Sequence, residues 1–301
     1  MNKTVLAHVS LLTANLIYAI NYTFAKDVMP NYIQPSGFIL LRVIGALSLF
    51  SFVYFVFVNE KIHKKDVTKF IICGLFGVAI NQLLFFEGLN LTTPINAAII
   101  MTCNPILVII MSFLILKDMM TFKKVLGIVL GILGASSLIL NSGSVNLSSD
   151  FQIGNLFVFI NATSYAIYLV LVKPLMKKYK PITVMFYVFS FGFLFVVPFG
   201  ASDLSRVKWM EIPTVIYLEI IFVVVCTTFI AYLLNAFALK KLTPSTVSVY
   251  IYLQPIFAAL FAILLKSDTI SNQKIISCAI IFLAVYMVSV SSKTKSNKKL
   301  S

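Results

Sequence analysis

Two motifs place amides where an apolar helix would otherwise be unbroken. Asn104-Pro105 and Gln254-Pro255 each set a side-chain amide directly before a proline, near the middle of an apolar run. Proline removes a helical hydrogen bond and strains the turn before it, which frees the carbonyls of Met101 and Ile251. Freed carbonyls beside an amide offer donors and acceptors to a polar solute. More amides and phenols lie in similar apolar surroundings: Asn15, Tyr18, Asn21, Tyr22, Asn81, Gln82, Tyr165, Tyr168, Tyr232 and Asn235. The deeper ones suggest a polar cavity, whereas tyrosines near helix ends also fit an interfacial belt. The residues expected to bind a solute are Asn15, Tyr18, Tyr22, Asn81, Gln82, Asn104, Tyr165, Tyr168, Tyr232, Asn235 and Gln254. Pro105, Pro255, Arg42 and Glu87 are the expected gating or coupling residues.

Arg42 and Glu87 belong to a set of four ionisable groups inside apolar runs, with Lys26 and Glu219. Charge at such depth is costly, so it marks either a gate or proton-linked site, or a snorkelling or structural ion pair. An Arg42–Glu87 pair is within geometric reach. Asp118 and Asp268, beside lysines at loop positions, read as caps or loop pairs. Nothing points to catalysis. His8 and His63 have no zinc spacing, and there is neither a phosphate-binding glycine loop nor a nucleophile elbow. Cys73, Cys103, Cys226 and Cys278 lack CxxC spacing and read as packing residues. No catalytic residue, metal site or cofactor is therefore expected.

The elements that must hold these residues follow from composition. Apolar residues make up 60% of the chain and charged ones 11%, with a mean hydropathy of +0.99. Soluble domains carry roughly a quarter charged residues, so this is an all-α membrane protein. Apolar runs near 5–25, 36–58, 69–89, 94–116, 123–141, 152–172, 182–200, 213–238, 244–265 and 274–291 predict ten transmembrane helices. The first is expected to stay uncleaved, since Asn15 and Asn21 interrupt it and no A-x-A site follows. The net charge of +14 comes from short lysine clusters between runs, so it signals topology rather than a nucleic-acid partner. With the N-terminus cytoplasmic, 18 of the 24 Lys and Arg fall inside and 6 outside, which predicts that both termini are cytoplasmic.

The chain also repeats itself. At an offset of 150 residues Thr93-Pro94 matches Thr243-Pro244, Pro105 matches Pro255, Asp118 matches Asp268 and Lys124 matches Lys274. Earlier the offset is 147, where Tyr18-Ala19-Ile20 matches Tyr165-Ala166-Ile167 and Lys26 matches Lys173. Five spans per half start the second copy on the opposite side, giving two inverted five-helix repeats. That plan recurs in secondary transporters with a midplane site. The expected units are residues 1–141 and 151–292, joined by a linker at 142–150 and followed by a basic tail at 293–301. Gly127, Gly131 and Gly134 have the small-residue spacing of close helix packing.

The chain resembles the drug/metabolite transporter superfamily, EamA type, over nearly its whole length. The resemblance rests on the first helix ending in Lys26, on Arg42, on NQLLFFEGLNLTTPINAAIIMTCNP, on Asp118 where the family usually has Gly-Glu, and on the duplication. It implies a central cavity lined by the first, third, fourth, sixth, eighth and ninth helices. It also implies uncoupled or proton-linked movement, usually export, of amino acids or related metabolites by a plasma-membrane secondary transporter. The implied partners are a small-molecule substrate, membrane lipid and protons. The chain departs from the small multidrug branch, which uses a carboxylate within its first helix; here Asn15 and Asn21 are the polar groups available. Lipid-linked or drug-like substrates, or a non-transporting assembly role, are the alternatives.

Overall fold

The computed structural model describes residues 3–92, 97, 100–117, 121–140, 149–264 and 272–298. Thr93-Pro94, Asp118, Asp268, linker residues 142–148 and tail residues 299–301 lie outside the described residues. The remaining two linker positions, 149 and 150, already belong to a helix.

The elements are α1 (Lys3–Val28), α2 (Pro35–Val58), α3 (Lys64–Leu91), α4 (Asn104–Leu116), α5 (Phe122–Leu140) and α6 (Ser149–Lys178). They continue with α7 (Pro181–Ser205), α8 (Thr214–Lys241), α9 (Pro244–Val249), α10 (Leu253–Leu264) and α11 (Asn272–Lys298). Among the described residues there is no strand. Stretches of six helices, α1, α2, α3, α6, α7 and α8, are long and apolar enough to cross a membrane. Their ends follow local chemistry. Pro35, Pro181 and Pro244 open helices, where a missing N–H costs nothing. Asn59 and Lys117 close α2 and α4 in the left-handed conformation, at φ 41° and 53°.

The polarity of the bundle is inverted relative to a soluble domain. Phe52, Phe55, Phe57, Leu114, Leu194 and Phe199 face outward, while Asn15, Asn21, Arg42, Asn81, Gln82, Asn104 and Asn161 are buried. Hydrocarbon is the solvent such a surface suits, and polar groups are then directed inward.

Packing places α2 against α7, α3 and α4 against α6, α1 against α8, and α5 against α11. A Cβ added at Gly127 or Gly134 would meet α11, at Val288 or Ile281, and one at Gly131 would meet the Tyr252 ring. Contacts also define two faces. Ser36 at the start of α2 bonds Glu87 at the end of α3 (2.6 Å), on the face where α1 ends. On the other, Tyr179 just after α6 bonds Asp66 at the start of α3 (2.7 Å), and the end of α8 lies there too. The Lys26 end of α1 and the Lys173 end of α6 therefore sit on opposite faces.

Candidate solute-binding cavity

Local helix defects position the site. α3 contains a π turn at Leu75–Ala79 and α8 one at Val223–Ile230, just before Asn81-Gln82 and Tyr232 respectively. A π turn shifts the phase of the residues that follow and loosens the carbonyl ladder, which is why such turns gather at functional sites. Side chains satisfy the loosened carbonyls. Ser164 Oγ donates to the Phe76 carbonyl (2.6 Å), Asn161 Nδ2 to the Asn81 carbonyl (2.5 Å), and Thr228 Oγ1 to the Val223 carbonyl (2.8 Å).

The prolines do more than kink their helices. Tyr250–Tyr252 is a short 3-10 turn separating α9 from α10, and a turn at Thr102-Cys103 precedes α4. Pro105 thus lies in the first turn of α4 and Pro255 in that of α10, where proline is tolerated. Met101 and Ile251, four residues upstream, both line the cavity.

That cavity, about 100 Å³, has room for several waters or a small solute. Nine of the eleven residues expected to bind a solute line it, Asn104 and Tyr168 being the exceptions. On one side Gln254 Nε2 donates to Asn15 Oδ1 (2.9 Å), and the Tyr22 hydroxyl donates to Gln254 Oε1 (3.4 Å). On another, Gln82 Nε2 donates to the Tyr232 hydroxyl (3.2 Å), which donates on to Asn81 Oδ1 (3.5 Å). Asn235 Nδ2 donates to the Tyr18 hydroxyl (3.1 Å). Arg42 is the one charged residue in the lining. Its Nε donates to Thr228 Oγ1 (3.0 Å) and its guanidinium lies 4.3 Å from the centre of the Phe86 ring.

Other expected residues lie elsewhere. Asn104 is fully buried and donates to the Ala162 carbonyl of α6 (2.9 Å), away from the cavity. Tyr168 joins Tyr18, Tyr165, Tyr232, Asn235 and Leu239 around a much narrower void of about 10 Å³, on the Lys173 side. Pro105 and Pro255 do not line either space. The Arg42–Glu87 pair does not form, because Glu87 accepts from Ser36 while Arg42 turns to Thr228 and Phe86.

Sequence reasoning missed Asn161, Thr227 and the apolar wall residues Phe85, Phe86 and Val247, whereas Met101 and Ile251 were singled out through their carbonyls. Asn161 was findable: it stands four residues before Tyr165, on the same helix face. Thr227 lies in an apolar run and gives no such signal.

Comparison with known proteins now decides the family. The model of the EamA-like transporter family matches this chain twice, over residues 5–140 and 152–290. The chain belongs to the EamA-like transporter family. Among its relatives is a Bacillus subtilis protein named uncharacterized transporter YyaM, 27% identical over 83% of this chain and 82% of that one. An uncharacterized transporter of Archaeoglobus fulgidus is 25% identical over 85% and 89%. WAT1-related protein At3g18200 of Arabidopsis thaliana is 26% identical over 90% and 75%. A solved crystal structure shares the fold, with a TM-score of 0.73 over 96% of this chain and 98% of that one, at 17% identity.

The two EamA units reach into each other by related bonds. Gln254 of the second bonds Asn15 of the first, and Asn104 of the first bonds Ala162 of the second. Gln254 follows Asn104 by 150 residues and Ala162 follows Asn15 by 147, the two offsets of the duplication. Gln82 and Tyr232, themselves 150 apart, bond each other directly. The cavity thus lies on the seam between the units.

Proposed function

We propose that this multi-pass membrane protein is a secondary transporter that exports amino acids or related small metabolites by alternating access. It spans the plasma membrane with ten helices in two inverted five-helix repeats, and both termini are cytoplasmic. The observation that carries the reading is the polar cavity on the seam between two duplicated units, narrowing towards the Lys173 face. Rocking one unit against the other would expose such a cavity to each side in turn. The lysine distribution supports the orientation, and it puts the Lys173 face inside. Proton coupling is the natural energy source for net export against a gradient.

The test is transport by purified protein in liposomes, with a panel of amino acids and neutral metabolites on one side. Faster equilibration than in empty liposomes is expected for some members, and faster still with an imposed proton gradient. A protein that moves no member of the panel would sink the reading.

A further inference from the structure

The packed helices α2 and α7 end in segments of different charge. Residues 59–69, where α2 passes into α3, hold four lysines, and residues 177–180, where α6 passes into α7, hold three more. The two segments meet on the Lys173 face, accompanied by only two carboxylates, Glu60 and Asp66. The repeat supplies its own comparison on the Lys26 face. There the passages from α1 to α2 and from α7 to α8, residues 29–36 and 203–213, hold two cations and two carboxylates, and Lys208 pairs with Glu211 (3.1 Å).

Both carboxylates of the Lys173 face are turned across the seam. Glu60 accepts from the Lys180 amide (2.9 Å) and the Thr183 hydroxyl (2.6 Å), and Asp66 from the Tyr179 hydroxyl (2.7 Å) and the Lys178 ammonium. Lys61, Lys64 and Lys65, which lie between them, are exposed and enter no ion pair among the described residues. Just before them α2 closes in a π turn, Tyr54–Val58, that buries Tyr54 and leaves Phe55, Val56 and Phe57 more than half exposed. Tyr54 stacks on Phe186 of α7 and donates to the Glu60 carbonyl (2.7 Å), which fixes where the chain leaves the helix. The chain thus passes from lipid-facing rings to unpaired lysines between Phe57 and Lys61.

We propose that this basic strap binds anionic phospholipid, with acyl chains against Phe55 and Phe57 and headgroup phosphates on Lys61, Lys64 and Lys65. A lysine excess orients a membrane protein wherever its lysines stand. Lipid recognition asks for more: cations left over by the protein's own acids, stems long enough to bend to the phosphate plane, and apolar side chains next to them. The strap has all three, whereas the segment between α7 and α8 matches its cations with acids. A soluble anion would meet the lysines and not the rings. The site bears on movement because the strap is fastened to the second unit at Glu60 and again at Asp66. Closing the Lys173 face crowds seven lysines around two carboxylates, and anionic headgroups offset that repulsion. Anionic lipid therefore holds this face closed.

The experiment needs no transported solute, so its failure and that of the transport reading are separate. The full chain in neutral detergent is titrated with dioleoylphosphatidylglycerol or dioleoylphosphatidylcholine while thermal unfolding is followed. Phosphatidylglycerol should raise the unfolding temperature at about tenfold or more lower concentration than phosphatidylcholine, and added salt should erase the difference. Lys61→Gln/Lys64→Gln/Lys65→Gln should lose that preference, while Arg206→Gln/Lys208→Gln on the other face keeps it. Equal response of the wild type to the two lipids would overturn the site, and this comparison stands even where a variant does not fold. A preference kept by the triple variant would place the lipid elsewhere. A shift reproduced by glycerol phosphate at the same concentration would replace the lipid with a soluble anion. Closure is read with Ala236→Cys in a chain without its native cysteines, exposed to an impermeant thiol reagent in nanodiscs. It should react more slowly in phosphatidylglycerol than in phosphatidylcholine, and equal rates would overturn the hold on the Lys173 face.

Discussion

The Lys26 and Lys173 faces occupy equivalent places in the duplication, yet they are bonded differently. On one face Lys173 Nζ donates to the carbonyls of Leu239 and Leu242 at the end of α8. Beside it Lys178 and Tyr179 donate to Asp66, and Glu60 accepts from the Lys180 amide and the Thr183 hydroxyl. On the other face the counterparts of Leu239 and Leu242 are Leu89 and Thr92, 150 residues earlier, and the counterpart of Lys173 is Lys26. Lys26 is half-buried and has no hydrogen bond among the described residues. A wide polar pocket of about 520 Å³ opens on that face between the loop that precedes α2 and the end of α7 with the segment after it. One half of the repeat thus holds a lysine latch that the other half has the residues to form. The difference suits a molecule resting with its Lys173 face closed, able to exchange latches when the units rock.

Breaking the formed latch should have the largest effect. Lys173→Met leaves the buried Leu239 carbonyl without its donor, at about 1–3 kcal/mol, and the part-buried Leu242 carbonyl as well, and should cut transport about tenfold or more. A cysteine introduced at Ala236, in the narrow void, should then react faster with a membrane-impermeant thiol reagent added at the Lys173 face. The four native cysteines are removed beforehand. Lys26→Met should leave thermal stability in detergent within about 0.5 kcal/mol of wild type, since no described bond is lost. It should still slow transport, because the opposite closure loses its donor. Equal loss of stability in the two variants would show that the faces are not latched differently.

The amide pair sharpens the same contrast at smaller scale. Gln254→Leu removes a cavity donor and should lower transport about tenfold with little change in thermal unfolding. Asn104→Leu removes a bond between α4 and α6 and should lower stability by about 1–3 kcal/mol, with a smaller effect on affinity. Detergent thermal shift read beside liposome transport separates the two. Reversed phenotypes would place the site on the Asn104 side of the seam.

Membrane character, the duplication and most of the polar lining were legible in the sequence because each leaves a local mark. Apolar runs, the Asn104-Pro105 and Gln254-Pro255 motifs and the amides inside helices all break a pattern that hydrocarbon otherwise imposes. What was not legible depends on helix phase. The π turns in α3 and α8 decide which way Gln82 and Tyr232 face, and nothing in LFGVA or VVVCTTFI announces one. Asn104 and Gln254 look equivalent as motifs, but equivalence under the repeat fixes the partner helix and not exposure to the cavity. Arg42 was read with Glu87 because opposite charges invite pairing; tertiary packing gave it Thr228 and Phe86 instead.

The smallest effect tests the seam itself. Gln82 and Tyr232 are the one lining pair separated by the full repeat offset that bond each other, so each is the other's counterpart across the axis. Rocking one unit against the other would turn their contact about the axis while keeping it close, which makes it a hinge-side bond rather than a latch. Their coupling should therefore be present in both closed states and modest in size. A double-mutant cycle with Gln82→Leu and Tyr232→Phe, read by thermal unfolding, should give a coupling of about 0.5–1.5 kcal/mol. The same value should appear in the Lys173→Met background, where the Lys173 face is unlatched. A coupling that vanishes there would assign the pair to one closure and place the axis of movement elsewhere.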